Sequence, residues 1–566
     1  MLSYRKLAMR VLGRPLHTGG GGIDSPRPAS QRAAALVLTA AMLTTFTAPA
    51  FAKTWYIEDG DITISASETK GTNKVSQGAE PEVEDTGTII TNREKDASSH
   101  TVTINAGNDK VEVTLDNVNI KADSGSALIS KGDVTLTLKG DNSLTGGNGG
   151  SGISSNGSLT ITGGENDSLT AKGGSGRSGI FSSGGVTISG GTVNATGGSS
   201  GSDSGDGIHS GSLTMKGGTV NAKGGSGADG GSGIRTFSSG GVTISGGTVT
   251  ANGGDGGSGS GSHGGNGIYS SGGVTISSGS TVTANGGDGE DGSGGRGITS
   301  NGGVTVSGGT VNAKGGSGKN GNGGDGIRSF NPVAISGGTV NANGGNSDYS
   351  NGGDGIRSLD HVAISGGTVK SNGGSGNLSG GNGIISYDID LSGSLELTAK
   401  AGSPNGKALS RVGSELDLNT IKDKLDPGAK VTATDADGKV IQQVSIPRPV
   451  EPEEPSSSSD SGSATPSAPA SFLPGLTVTD KDGQRISYTS TQSGNTLTVC
   501  VGRFTASFRI SLAALRQLRA EGIETIAFQT ILCSTTLSVD ELLAMGSEDA
   551  EAVLTHRFTD SSLTVG

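Results

Sequence analysis

The sequence predicts a mainly β protein: a right-handed parallel β-helix solenoid with a small C-terminal α+β domain. Three observations predict it. Over residues 152–401 one phrase recurs about nine times: Gly-Gly-Val-Thr-Ile-Ser-Gly-Gly-Thr-Val-Asn-Ala-x-Gly-Gly, a loose loop of Gly, Ser and Asp, then x-Gly-Ile. Its anchors Ile153, Ile180, Ile208, Ile234, Ile268, Ile298, Ile327, Ile356 and Ile384 follow at steps of 26 to 34 residues, the period of a stacked array of supersecondary units. Each copy carries three short apolar pieces, such as Gly326-Ile327, Val333-Ala334-Ile335 and Val340-Asn341-Ala342, in which apolar and small polar residues alternate with the strand period.

Other architectures fit less well. No copy has room for a helix, and the pieces are too short for a propeller blade. Collagen needs a strict Gly-X-Y period, and the chain has only 15 prolines beside its 106 glycines. Composition alone suits disorder, yet a disordered chain has no reason to keep Val-x-Ile in step across nine copies. Stacked coils would bury Ile, Val and Ala inward, and parallel crossovers favour the right hand. The longest loop, residues 253–266, is expected to be the most mobile part.

The elements follow in order. Residues 1–52 read as an export signal. Arg5, Lys6, Arg10, Arg14, Arg27 and Arg32 precede an apolar run over residues 33–43, and Ala50-Phe51-Ala52 is a small-x-small cleavage site. Residues 53–446 are expected to form the solenoid with its caps. Its early strands include Val111-Glu112-Val113-Thr114-Leu115 and Val118-Asn119-Ile120; residues 69–99 read as a surface loop, and Trp55 and Tyr56 as cap residues, with sugar stacking the alternative for Trp55. A short helix over residues 416–425 and a hairpin around Asp435-Ala436-Asp437-Gly438 would close the other end. Residues 447–472 are a Pro/Ser/Glu-rich linker that cannot bury a core. Residues 473–566 read as a separate module of unknown role. Strands are expected over 476–479, 486–489, 497–501, 504–510 and 523–532, with a helix capped by Ser511 and a second opened by the Ser538-Val539-Asp540-Glu541 box. Cys500 and Cys533 are the only two cysteines and a candidate pair in an exported chain.

The net charge of −12 gives no reason to expect a nucleic-acid partner. No catalytic signature is present, and in this composition a Gly-x-Gly-x-x-Gly match carries no information. Stacking creates the informative pattern. The residue after each Gly-Ile should point outward, giving a column of Ser154, Phe181, His209, Arg235, Tyr269, Thr299, Arg328, Arg357 and Ile385. A second column precedes Gly-Ile and includes Asp206, Asn266, Arg296, Asp325, Asp354 and Asn382. One reading of these columns is a surface salt-bridge lattice of little energetic worth. The other is a polysaccharide track, with arginines facing uronate carboxylates and Phe181 and Tyr269 offering faces to sugar rings.

The run Val113-Thr114-Leu115-Asp116-Asn117-Val118-Asn119-Ile120, the following Ser126-Ala127-Leu128-Ile129 and the later coils resemble a family of secreted bacterial β-helix proteins classed as carbohydrate-binding, similar in fold to pectate lyases. The resemblance covers roughly residues 55–401. It implies extracellular binding of plant-type or acidic polysaccharide, with calcium as an accompanying ion. Asp288, Asp291, Asp325 and Asp354 are the candidate calcium ligands, on loops that offer oxygens from a flexible backbone, although Asp-Gly is also ordinary turn chemistry. The expectation is a secreted or surface-held, non-catalytic binder of acidic glycans that contacts them through Phe181, His209, Arg235, Tyr269, Arg328 and Arg357. A structural adhesin is the alternative, and a polysaccharide lyase on the same solenoid the second.

Overall fold

The computed structural model describes residues 52–259, 261–447, 475–480, 484–486, 488–501, 505–530, 534–545, 550–556 and 561–565. The export signal, save Ala52, and the linker, save Pro447, lie outside the described residues, as does Cys533. Two compact units divide between Glu451 and Pro452.

The first unit is a parallel β-solenoid of about 14 turns. Its register is the one the repeat dictates. Ile153 pairs with Ile180, Ile180 with Ile208, and the series continues without a slip through Ile234, Ile268, Ile298, Ile327, Ile356 and Ile384 to Leu409. The Val-x-Ile and Val-x-Ala strands stack in the same way. All nine anchor isoleucines are fully buried, each contributing about 1.5–3 kcal/mol by leaving water. A one-residue slip would turn these chains outward. Among the described residues Trp55 is the only aromatic of this core; columns of closely matched apolar side chains, mainly Ile, Val, Leu and Ala, fill the narrow interior.

The loops are not loose. In each coil one glycine leaves the third strand and another enters the next Gly-Ile strand, and these glycines alternate in one chain of hydrogen bonds up the stack. Gly316 donates to Gly295, Gly324 to Gly316, Gly345 to Gly324, Gly353 to Gly345, Gly374 to Gly353 and Gly381 to Gly374, all at 2.8–2.9 Å. Backbone therefore packs on backbone, and a Cβ on Gly324 would lie 1.9 Å from the Gly295 carbonyl oxygen. The long loop at residues 253–266, expected to be mobile, is tied in as well: Gly254 donates to Gly231 and Gly265 to Gly254, both at 2.8 Å. The strands on either side keep register, Ile234 pairing with Ile268 and Ile268 with Ile298.

Residues 69–99, expected to be a surface loop, instead contain three strands. Asn73–Gln77 and Val83–Asp85 pair antiparallel in a sheet with Ile62–Ala66, and Ile89–Thr91 runs parallel beside Thr54–Tyr56. Lys74 and Glu84 lie toward solvent, while Val75 and Ile90 fill the end of the core and Asp85 is fully buried beside them, a mixture that hid the strand period. Trp55 closes this end as expected. It is 3% exposed and donates from Nε1 to Asp85 at 2.8 Å, so its ring has no face for a sugar. At the other end a 3-10 helix, Leu418–Lys424, and the antiparallel pair Lys430–Thr434 and Val440–Ser445 form the cap.

The second unit has two four-stranded sheets and two helices among its described residues. Leu476–Thr479 is the expected strand; the strand expected over 486–489 falls at Thr489–Ser493, which forms a hairpin with Thr496–Cys500. Ser511 caps Leu512–Ala520 through the Ala514 N–H at 3.2 Å, and Ser538 precedes Val539–Met545. Ser534–Ser538, Glu551–His556 and Ser561–Val565 are further strands, too polar to stand out in the sequence. Cys500 donates its thiol to Gln529 at 3.3 Å. His556 is fully buried, with Nε2 2.9 Å from the Thr535 hydroxyl and its ring 4.9 Å from that of Phe528.

Two predictions follow from this packing. Gly324→Ala should destabilise the solenoid by roughly 3 kcal/mol, because overpacking has no side chain to displace. Gly201→Ala should be near neutral, since nothing lies within 4 Å of the added carbon; thermal melting of both variants checks the pair. Burial pulls His556 below the ordinary histidine value. The folded unit therefore resists a proton that the unfolded chain accepts, and its stability is full above pH ~6.5 and falls below it. Hydrogen exchange at the Phe528 and Leu554 amides on either side of that pH should show the loss, and His556→Gln should flatten it.

Candidate functional site

The register that stacks the isoleucines also stacks the residues after them. Ser154 pairs with Phe181, Phe181 with His209, His209 with Arg235, Arg235 with Tyr269, Tyr269 with Thr299, Thr299 with Arg328, Arg328 with Arg357 and Arg357 with Ile385. Successive members stand roughly 4.8 Å apart. Phe181, His209, Tyr269, Arg328 and Arg357 are half-buried, Arg235 is exposed, and Thr299 is covered.

Sequence reasoning missed a partner column. Three residues after each anchor the chain turns a corner, and the side chains there stand beside the first column. Phe237, Phe330, Leu359, Tyr387 and Val412 occupy this place. Backbone bonds keep the corners aligned, Phe330 donating to Ser300, Leu359 to Ser329 and Val412 to Ser386 at 3.0–3.1 Å. Phe237 is 43% exposed, Phe330 45%, Tyr387 66% and Val412 70%, an unusual set of bare hydrophobics on one face. The signal was present as an apolar residue at a fixed offset from Gly-Ile, diluted by Ser271 and Asn301 in intervening coils.

The two columns interlock. Phe181, His209 and Phe237 form one cluster, with ring centroids 5.3–6.5 Å apart. The Arg235 guanidinium lies 5.4 Å from the Tyr269 ring and that of Arg328 5.3 Å from the Phe330 ring, within cation–π range.

The column before Gly-Ile is a structural ladder. Each acceptor side chain takes the backbone N–H of the same position one coil on: Asp206 from Ser232 at 2.6 Å, Asn266 from Arg296 at 3.0 Å, Asp325 from Asp354 at 3.0 Å, and Asp354 from Asn382 at 2.7 Å. The carboxylates use Oδ1 for this and turn Oδ2 to the basic side chain three residues on. Asp206 reaches His209 at 3.0 Å, Asp325 reaches Arg328 at 3.6 Å and Asp354 reaches Arg357 at 3.2 Å, with Arg296 also 3.4 Å from Asp325. The salt-bridge lattice is therefore real, and it leaves a remainder. Arg328 Nε and Arg357 Nε are buried atoms without a hydrogen-bond partner, a costly condition for a charged donor. Burial, and then the Arg296 charge, pull Arg328 below the ordinary guanidinium value. Burial, and then the Asp325 charge, push the Asp354 carboxyl up.

The four aspartates read as calcium ligands occupy two separate places. Asp325 and Asp354 belong to the ladder just described. Asp288 accepts from the Ser317 N–H at 2.6 Å and Asp291 from the Asn320 side chain at 2.9 Å, doing the same coil-to-coil work on the loops. Among the described residues no three His, Cys, Asp or Glu side chains are grouped to hold a metal ion, so this donor set does not form one centre.

Comparison with protein-family models, with curated proteins and with solved structures returned no match. The fold and the face define a parallel β-solenoid with a mixed arginine–aromatic stripe. Among the described residues no helix is long and apolar enough to cross a membrane.

The ladder makes its own prediction. With its carboxyl pushed up, ionised Asp354 costs stability at neutral pH, and that stability returns as the pH falls through the raised value toward ~4. Asp354→Asn should keep the ladder acceptor, hold or raise the melting temperature and remove this pH component. Asp354→Ala should cost about 1–3 kcal/mol by stranding the Asn382 donors. Melting curves across pH distinguish the two.

Proposed function

We propose that this chain is an exported, non-catalytic polysaccharide-binding protein. An acidic glycan lies along the stripe of Phe181, His209, Arg235, Tyr269, Arg328 and Arg357, with the corner aromatics as its second wall. The observation that carries this reading is the pair of half-buried guanidinium groups of Arg328 and Arg357, one coil apart beside the partly exposed ring of Phe330, each paired with its aspartate through Nη1. A uronate offers a planar carboxylate for the part of each guanidinium that reaches solvent and an apolar ring face for the aromatic. The non-catalytic part rests on the aspartates. Asp325 and Asp354 are each engaged by backbone on one oxygen and by arginine on the other, so neither is free as the base that an eliminative cleavage needs.

The double variant Arg328→Gln with Arg357→Gln tests the reading. Glutamine keeps a donor for each aspartate, so the melting temperature should hold. Affinity for polygalacturonate should fall roughly ten- to hundredfold, affinity for a neutral glucan should change little, and the difference should shrink at high salt. Unchanged polygalacturonate binding would remove this face from consideration.

A further inference from the structure

The stripe changes chemistry at one coil. Arg328 and Arg357 are followed in the same column by Ile385. Beside Ile385 the corner column carries Leu359, Tyr387 and Val412, and these four side chains line a cavity of about 180 Å³ together with Arg357, Ser358, Ser386 and Gly413. A sugar that continues one step past Arg357 thus meets walls in which apolar side chains outnumber the one cation.

Val412 is the second observation. It sits with Gly413 in the two-residue turn between Leu409–Arg411 and Ser414–Glu415, with φ of 48° and 80° respectively. Turns of this kind take Asn, Asp or Gly, because positive φ crowds a Cβ, and a β-branched residue there is a true outlier. Core packing does not explain the choice, since Val412 is 70% exposed. Its backbone N–H donates to Ser386 at 3.1 Å, which sets the strained side chain beside Tyr387. Strain retained at an exposed position points to a contact made outside the chain.

We infer that this cavity is a specificity pocket for a short ester group, methyl or acetyl, carried on the acidic polysaccharide; the inference rests on the ligand reading above. A methyl ester masks a carboxylate and removes its charge, whereas an acetyl group caps a hydroxyl and leaves the carboxylate ionised; either adds a small apolar group, which matches Ile385, Leu359, Tyr387 and Val412. The free carboxylates of neighbouring residues stay with Arg357 and Arg328. The ligand class is then a partly esterified polyuronate, not a uniformly charged one.

The experiment compares four polymers of matched length: polygalacturonate, the same polymer partly methyl-esterified, the same polymer partly O-acetylated, and a neutral glucan. The wild-type chain should bind one ester more tightly than plain polygalacturonate, and which ester it prefers assigns the substituent. Val412→Asn suits the turn, so its melting temperature should hold or rise, while affinity for the preferred ester falls roughly tenfold, the worth of a small apolar group in a hydrophobic pocket. Affinity of the Val412→Asn variant for plain polygalacturonate should match wild type. A wild-type chain without ester preference, or a Val412→Asn variant that loses esterified and plain polymer equally, would overturn the pocket while leaving the arginine face standing. Failure of the Arg328→Gln, Arg357→Gln test would instead overturn the ligand reading itself.

Discussion

Everything in the solenoid depends on coil-to-coil backbone hydrogen bonding in one fixed register. Parallel ladders hold three sides of each coil, and the glycine seam holds the return leg, where backbone donates to backbone at 2.8–2.9 Å with no side chain between. Each bond is worth only about 0.5–1.5 kcal/mol net, but a slip in one coil would forfeit the bonds on both its faces and expose its isoleucine, valine and alanine together. The glycines that make the composition resemble disorder are therefore the condition for closing the coil. A Cβ at Gly345 or Gly353 would stand about 2 Å from a carbonyl oxygen below.

That register has a chemical consequence. A side chain repeated at one offset lies directly above its predecessor, so polar groups can be spent on the next coil or left over. Asp206, Asn266, Asp325 and Asp354 are spent, each closing a backbone N–H above it. The guanidinium groups of Arg328 and Arg357 are spent only in part. Such a face is pre-organised, because the ladder below holds the cations still and little side-chain entropy remains to be lost on binding.

The isoleucine spacing alone carried the parallel architecture, its register and the outward column, because a strict period leaves little freedom in how coils stack. It could not show that Asp325 and Asp354 are buried: an Asp-Gly pair reads as turn chemistry, and only the coil above supplies the N–H that draws the carboxylate inward. The corner column was hidden for a related reason. Phe237, Phe330, Leu359, Tyr387 and Val412 share an offset but not a residue type, and polar residues interrupt them. The strands at Asn73–Gln77 and Val83–Asp85 were lost because a cap shields only one face, so charge outweighed alternation in the sequence.

The unevenness of the stripe is itself informative. A stack selected only for stability would keep one favourable residue in the column, as the Ile, Val and Ala columns do. The column after Gly-Ile instead runs through Ser, Phe, His, Arg, Tyr, Thr, Arg, Arg and Ile. Coils rise by roughly 4.8 Å, and the rise of a sugar polymer need not equal that step, so on the proposed reading a bound chain would drift in phase against the coils and each coil would meet a different part of it. Under that mismatch a useful face would vary along its length, with rings gathered at Phe181, His209 and Phe237, cations at Arg328 and Arg357, and an aliphatic side chain at Ile385. The core repeats because the coils must match each other; the proposed ligand is what would free the stripe from that demand.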